Sequence, residues 1–437
     1  MASEADAPPG FIGRIFGARG HELPAVLAGF ALFFLLFASY FMLRPVRETF
    51  GIASGVENMH LLWTGTFTAA LIVVPLYGWL SRRVPRRTLL PSTYLVSGLV
   101  MTGFAVSLAT DPDNIWAARG FYVWISVMNL FVISIAWSLM ADVFATDQGR
   151  RLFGQIAAGA SLGGLAGPLI SGLLVAPLGH AGLLVLSVAL LLATLPFAWW
   201  LLRWRERHGR PDDARPPEEA IGGSIWAGLI LIWRTPWLMA ISAFVILLTS
   251  ATTFLYFEQA RIVEVTFPDR TAQTQVFAAI DTIVQALTIL LQVFATGQLA
   301  RRLGVTVLLT LVPILMVFGF GLLALAATFP VLAGVMIVRR VGEYAFVRVG
   351  REMLFTRVDA ETKYKAKNAI DTFVYRGGDL ISGWANAGLV AIGSSALAAL
   401  GGVAISIAWA ALGFAIGRRD DRVTPPVDAP RSAVIKH

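Results

Sequence analysis

Gly78-Trp79-Leu80-Ser81-Arg82-Arg83-Val84-Pro85 and Gly297-Gln298-Leu299-Ala300-Arg301-Arg302-Leu303-Gly304 share one pattern, 219 residues apart in a chain of 437. The separation is about half the chain, so the pair predicts one polytopic unit present twice. Composition sets the class. With 57% apolar and 14% charged residues and a mean hydropathy of +0.70, there is too little polar surface to coat a water-soluble globule. The formal charge of +8 sits in short clusters between apolar runs, which is orientation chemistry and not a nucleic-acid face. The chain has no cysteine, which excludes disulfides and thiolate metal sites and points to a bacterial inner membrane.

A span needs roughly 20 apolar residues to cross about 30 Å of hydrocarbon. That ruler places spans near 24–48, 60–80, 88–110, 115–141, 153–177, 180–203, 237–262, 273–299, 304–328, 331–356, 367–393 and 395–417, with a short amphipathic lead-in at 224–236. The first is read as an uncleaved span, because no small-residue cleavage site follows its apolar run. Basic residues occupy every second connection: Arg14/Arg19, Arg82/Arg83/Arg86/Arg87, Arg150/Arg151, Arg203 to Arg215, Arg301/Arg302, Arg357 to Lys367 and the tail from Arg418. Alternate connections, such as Asp111-Pro112-Asp113-Asn114, carry almost none, so both termini are expected in the cytoplasm. The longest polar break contains Pro211-Asp212-Asp213 and Pro216-Pro217-Glu218-Glu219 and reads as a linker. The expected organisation is a tail at 1–23, a six-helix bundle at 24–203, a linker at 204–223, a second bundle at 224–417 and a tail at 418–437.

The repeated segment resembles the loop signature of the major facilitator superfamily, Gly-x-Leu-Ala-Asp-Arg-x-Gly-Arg-Arg, between spans 2 and 3 and again between 8 and 9. The chain departs from it: Arg82 and Arg301 replace the usual Asp, and Pro85 replaces Gly in the first copy. Span 5 adds Gly163-Gly164-Leu165-Ala166-Gly167-Pro168-Leu169-Ile170-Ser171-Gly172, similar to the Gly-x-x-x-Gly-Pro-x-x-Gly-Gly element of facilitator antiporters. Gly159, Gly163 and Gly167 share one helical face, which lets a neighbouring backbone approach closely; helix packing is the favoured reading. The resemblance implies an all-α membrane protein of 12 transmembrane helices in two six-helix bundles, the major facilitator fold.

Charges inside the spans carry the chemistry. Span 10 holds Arg339, Arg340, Glu343, Arg348, Arg351 and Glu352. Each central charge costs about 2.5 to 3.5 kcal/mol on the insertion scale, and each large apolar residue returns only about 0.3 to 0.6. These charges must therefore face protein or water. Arg339/Glu343 and Arg348/Glu352 have i,i+4 pairing geometry, and Arg340, Tyr344 and Arg351 share another face. Span 1 ends with Tyr40, Arg44, Arg47 and Glu48; span 7 ends with Tyr256, Glu258, Arg261 and Glu264, a corresponding set under the repeat. Span 8 presents Asp281, Gln285, Thr288 and Gln292 as a polar stripe, and span 11 carries Asp371, Thr372, Arg376, Asp379 and Asn386. Arg340 and Arg376 are expected to contact substrate. Asp281, with Glu343 and Asp379, is a candidate for proton or ion coupling, since a carboxylate taken out of water holds a proton more readily.

A closer resemblance surrounds the end of span 10. Arg351-Glu352-Met353, Asp359, Glu361-Thr362-Lys363-Tyr364-Lys365-Ala366-Lys367 and Asp371 are similar to the Lys-Glu-Met … Asp-Glu-Glu-x-Lys-x-Lys-x-Lys-x-x-x-Asp run of the ATP/ADP translocases of plastids and intracellular bacteria. Leu43-Arg44-Pro45-Val46-Arg47-Glu48-Thr49 likewise resembles their Leu-Arg-x-x-Lys-Asp-Ser, with Arg47 at the position of a functional Lys. The resemblance implies nucleotide exchange, with Lys363, Lys365 and Lys367 at the cytoplasmic mouth.

Guanidinium groups bind carboxylate or phosphate in bidentate fashion and stay charged in a membrane. The expected substrate is thus a small organic anion, contacted by Arg44, Arg47, Arg340, Tyr344, Arg348, Arg351 and Arg376. Glu48, Glu258, Arg261, Glu352, Lys363, Lys365 and Lys367 are expected to gate. No Gly-x-x-x-x-Gly-Lys-Ser/Thr loop, His-Glu-x-x-His or Gly-x-Ser-x-Gly element occurs, and the five His residues lack metal-ligand spacing. The expectation is a transporter and not an enzyme, without metal or cofactor, working as a monomer in the bilayer. A proton-driven exporter of amphipathic compounds or lipids and a non-transporting receptor or scaffold are the alternatives. His60 and the tryptophans of 199–204 and 233–237 read as interfacial side chains.

Overall fold

The computed structural model describes residues 20–208, 225–355, 358, 366–367, 369–392 and 395–423, and within these the chain is all α. The helices are α1 (Leu23–Ala53), α2 (Met59–Arg83), α3 (Arg86–Thr110), α4 (Ile115–Val143), α5 (Thr146–Leu192), α6 (Thr194–His208), α7 (Ile225–Arg234), α8 (Pro236–Thr266), α9 (Arg270–Leu291), α10 (Gly297–Leu325), α11 (Phe329–Gly342), α12 (Arg348–Leu354), α13 (Tyr375–Ile392) and α14 (Ser395–Val423). Three π-helical segments, Gln292–Thr296, Glu343–Val347 and Ile370–Val374, precede α10, α12 and α13.

Nine helical runs among the described residues are long and apolar enough to cross a membrane, so this is a multi-pass membrane protein. One of them, Asp147–His208, is 62 residues long. At 1.5 Å per residue it would extend about 90 Å, three times the hydrocarbon thickness. It is broken at Gly179, whose φ of 67° is a left-handed conformation that glycine adopts without strain. Predicted spans 331–356 and 367–393 are not among the nine; each contains a π segment and several charges. Local signals start the other helices. Asn114 accepts from the backbone N–H groups of Trp116 and Ala117 at 3.1 and 3.0 Å and caps α4, and Pro236 opens α8 where no N–H partner is needed.

The chain forms two compact units: Met1–Ser54, Thr68–Pro216 and Pro268–Thr282 make the first, and Gly55–Phe67, Pro217–Phe267 and Ile283–His437 the second. The halves of α2 and α9 thus belong to different units. In the first unit α5 lies directly on α1. A Cβ added at Gly159 or Gly163 would stand 2.3 Å from the carbonyl oxygen of Phe30 or Phe34, and one at Gly167 2.7 Å from that of Ala38. Those glycines are therefore a packing seam, as expected. Ser39 and Ser187 exchange hydrogen bonds across it, and Phe33, Phe121, Phe144 and Trp204 fill the core. Trp204 is buried, so of the tryptophans read as interfacial this one is a core side chain, because α6 continues to His208 and turns it inward onto Phe144.

In the second unit α8 meets α13 through Ser250 and Ser382 at 2.7 Å, and α10 meets α14 at Gly413 and Gly417. The His60 ring packs on Trp384 with centroids 4.5 Å apart, and Trp63 lies 5.2 Å from Tyr256.

Candidate functional site

The charged helix is built as α11, a π segment and α12. Arg339 and Arg340 are both buried. Arg339 Nη1 donates to Glu343 Oε2 at 2.6 Å and to Thr252 Oγ1 of α8 at 2.7 Å, which satisfies the expected i,i+4 pair and ties it to the neighbouring helix. Tyr344 lies within the π segment, where its carbonyl, freed from the regular ladder, accepts from Gln292 Nε2 at 3.3 Å.

The second expected pair is not formed. Arg348 is exposed, and Glu352 Oε2 instead receives Lys367 Nζ at 2.6 Å. Arg351 in turn pairs with Asp371 at 3.0 Å. An isolated i,i+4 pair contributes only about 0.2–0.5 kcal/mol, so a partner from the next helix displaces it readily. The residues of the second resemblance thus become two ion pairs joining the end of α12 to the approach to α13. Lys363 and Lys365 lie outside the described residues, as do the side chains of Arg82 and Arg301.

At the end of α1, Arg47 contacts Glu48, its neighbour, and stacks over Tyr122 at 5.5 Å. Arg44 Nε lies 3.7 Å from Asp281 Oδ2. Asp281 falls in the first compact unit and Gln285, Thr288 and Gln292 in the second; Asp281, Gln285 and Thr288 lie on the unbroken helix α9, with Asp281 and Thr288 buried. In the second unit Arg261 donates to Glu258 at 2.9 Å and to Asn386 Oδ1 at 2.6 Å. Asp379, 8% exposed, has no cation within 4 Å among the described residues, and Arg376 stands one turn before it on α13.

A profile of the Major Facilitator Superfamily matches residues 25–350. The chain belongs to that superfamily. As a facilitator it is a secondary transporter and not an enzyme, and Arg339 and Arg340 are buried in it. It is 22% identical over 435 residues to ADP,ATP carrier protein 1 of Chlamydia muridarum, covering 83% of this chain and 82% of that protein. It is 27% identical over 179 residues to multidrug resistance protein MdtG of Yersinia enterocolitica, covering 39% and 41%. The solved structure of a bacterial homolog to the human lysosomal transporter Spinster superposes with a TM-score of 0.61 at 14% identity, over 92% of this chain and 98% of that one.

Three features of this facilitator escaped the sequence. Glu22, buried before α1, accepts from both Arg151 Nη atoms at 3.1 and 2.9 Å and from Gln148 at 3.0 Å; an acid directly ahead of the first apolar run was the available signal. His180 Nε2 lies 3.0 Å from Thr274 Oγ1, which is 2.7 Å from Thr49 Oγ1. Asp421 accepts from the N–H groups of Val305 and Thr306 at 2.8 and 3.0 Å.

Proposed function

We propose that this facilitator exchanges a small organic anion, with a nucleotide or other phosphorylated metabolite as the leading class, by alternating access across a bacterial inner membrane. The observation that carries the reading is the burial of Arg339 and Arg340 side by side in a membrane-spanning helix. Permanent cations there are costly unless they pair or meet an anion. Arg339 is held by Glu343 and Thr252; Arg340, next to it on the same helix, and Arg376 of α13 are the cations assigned to the substrate. The resemblance over most of its length to an ADP,ATP carrier supports the same class.

In this reading twelve spans form two six-helix bundles with both termini cytoplasmic. The break at Gly179 divides the 62-residue run into two crossings, and α11–α12 and the π segment with α13 add two more to the nine. Within the first unit Arg44 and Arg47 are assigned to the anion as well, which takes the place of Asp281 on Arg44. Arg351–Asp371 and Glu352–Lys367 serve as the inner clasp, and Glu258–Arg261–Asn386 as the outer one.

The test is counterflow in proteoliposomes with a panel of labelled nucleotides, sugar phosphates and carboxylates. Saturable exchange of at least one anion supports the proposal. A second reading, proton-driven export of amphipathic compounds, is favoured by Asp379 standing buried without a cation within 4 Å among the described residues and by the partial likeness to MdtG. It predicts pH-gradient-driven flux of lipophilic cations that Asp379→Asn abolishes.

A further inference from the structure

Three helices carry the same device toward their C-terminal ends. Arg83 lies over the ring of Trp79 at 4.4 Å on α2, Arg203 over Trp199 at 3.3 Å on α6, and Arg418 over Phe414 at 5.9 Å on α14. Each arginine follows its ring by four residues, so one turn of helix sets the guanidinium above the ring. The rings are 50%, 56% and 50% exposed, and the arginines are exposed as well. None of these three arginines has a carboxylate within 4 Å among the described residues. Nearby arginines are treated differently, since Arg87 pairs with Glu206 and Arg151 with Glu22.

A cation near the end of a helix is favourable for the macrodipole alone. That effect is confined to the last turn, and Arg203 and Arg418 stand before the last turns of α6 and α14. An exposed ring near the end of a membrane span sits at headgroup level, and the ring contact keeps the guanidinium at that level, its stem along apolar surface and its charged head toward the headgroups. In the twelve-span order the three ends belong to spans 2, 6 and 12, which finish on one side of the bilayer, the side that carries the basic connections.

We propose that these three ring–arginine pairs are separate seats for anionic phospholipid headgroups of the inner leaflet, each guanidinium edge binding the phosphodiester and each ring lying against the upper acyl chain. The planar fork suits two phosphate oxygens. The assignment is independent of what the protein transports.

The experiment is native mass spectrometry of the purified protein released from nanodiscs of equal phosphatidylglycerol and phosphatidylcholine, repeated with excess inorganic phosphate. Wild type should retain phosphatidylglycerol preferentially, and excess phosphate should leave it in place. Arg83→Gln, Arg203→Gln and Arg418→Gln should each reduce the preference about fivefold at its seat. Trp79→Leu, Trp199→Leu and Phe414→Leu keep every charge, and hence the insertion signals, and should also lower it. An unchanged preference in both sets overturns the proposal. Displacement of the lipid by inorganic phosphate overturns it too, since the seats would then bind free anions.

Discussion

Arg339 shows how a charge is made tolerable in an apolar helix. Two of its bonds are fixed by partners at 2.6 and 2.7 Å, one from its own helix and one from α8. Breaking a buried pair leaves an uncompensated charge and costs about 3–5 kcal/mol, whereas replacing both members by apolar residues of similar volume is far milder. Glu343→Met alone should therefore lower the thermal unfolding midpoint in detergent strongly, and Arg339→Met with Glu343→Met should recover most of the loss. The charges themselves were legible, because a guanidinium in an apolar run has few places to go. Their partners were not. Glu352 had a good partner by spacing in Arg348, yet it bonds Lys367, and Asp281 had a stripe on its own helix, yet it meets Arg44. Spacing reports neighbours along one helix and is blind to the helix beside it. The clasp assigned to Arg351 and Asp371 gives a second expectation: Arg351→Asp should impair exchange, and adding Asp371→Arg should restore it in part, measured as initial rate in vesicles.

The α1–α5 seam depends on absent side chains. With carbonyl oxygens 2.3 Å from where a Cβ would sit, Gly163→Val cannot be absorbed by a rotamer change and forces the two backbones apart. Overpacking of this kind costs about 1–3 kcal/mol or more, which thermal unfolding should register, while Gly78→Ala, with open space around it, should be nearly neutral. This seam was readable from three glycines at intervals of four. The repeated turn was readable in outline only. In the first copy Pro85 is extended and Arg87 bonds Glu206 of α6; in the second Gly304 has φ 73°, and Asp421 of α14 caps the helix that follows. Corresponding corners are thus closed by different chemistry, and the second needs a residue more than a hundred positions away. Asp421→Ala should cost about 1–2 kcal/mol, visible as a lower unfolding midpoint.

A repeated eight-residue pattern was the first thing the chain displayed, and hydropathy with alternating basic connections carried the reading as far as a multi-pass membrane protein. The division into compact units was less legible. Each unit takes half of α2 and half of α9, and an apolar run carries no mark of which neighbours each of its halves will choose. The central claim of the proposed function is that Arg340, buried, and Arg376, half-buried, bind an anionic substrate. It is tested most directly by counterflow in proteoliposomes carrying wild type, Arg340→Gln or Arg376→Gln, with folding checked by monodisperse elution. The account predicts anion exchange by wild type and a loss of about 30-fold or more in apparent affinity in each variant, the expected size when a buried charged partner is removed. Anion exchange that persists unchanged in both variants would contradict it.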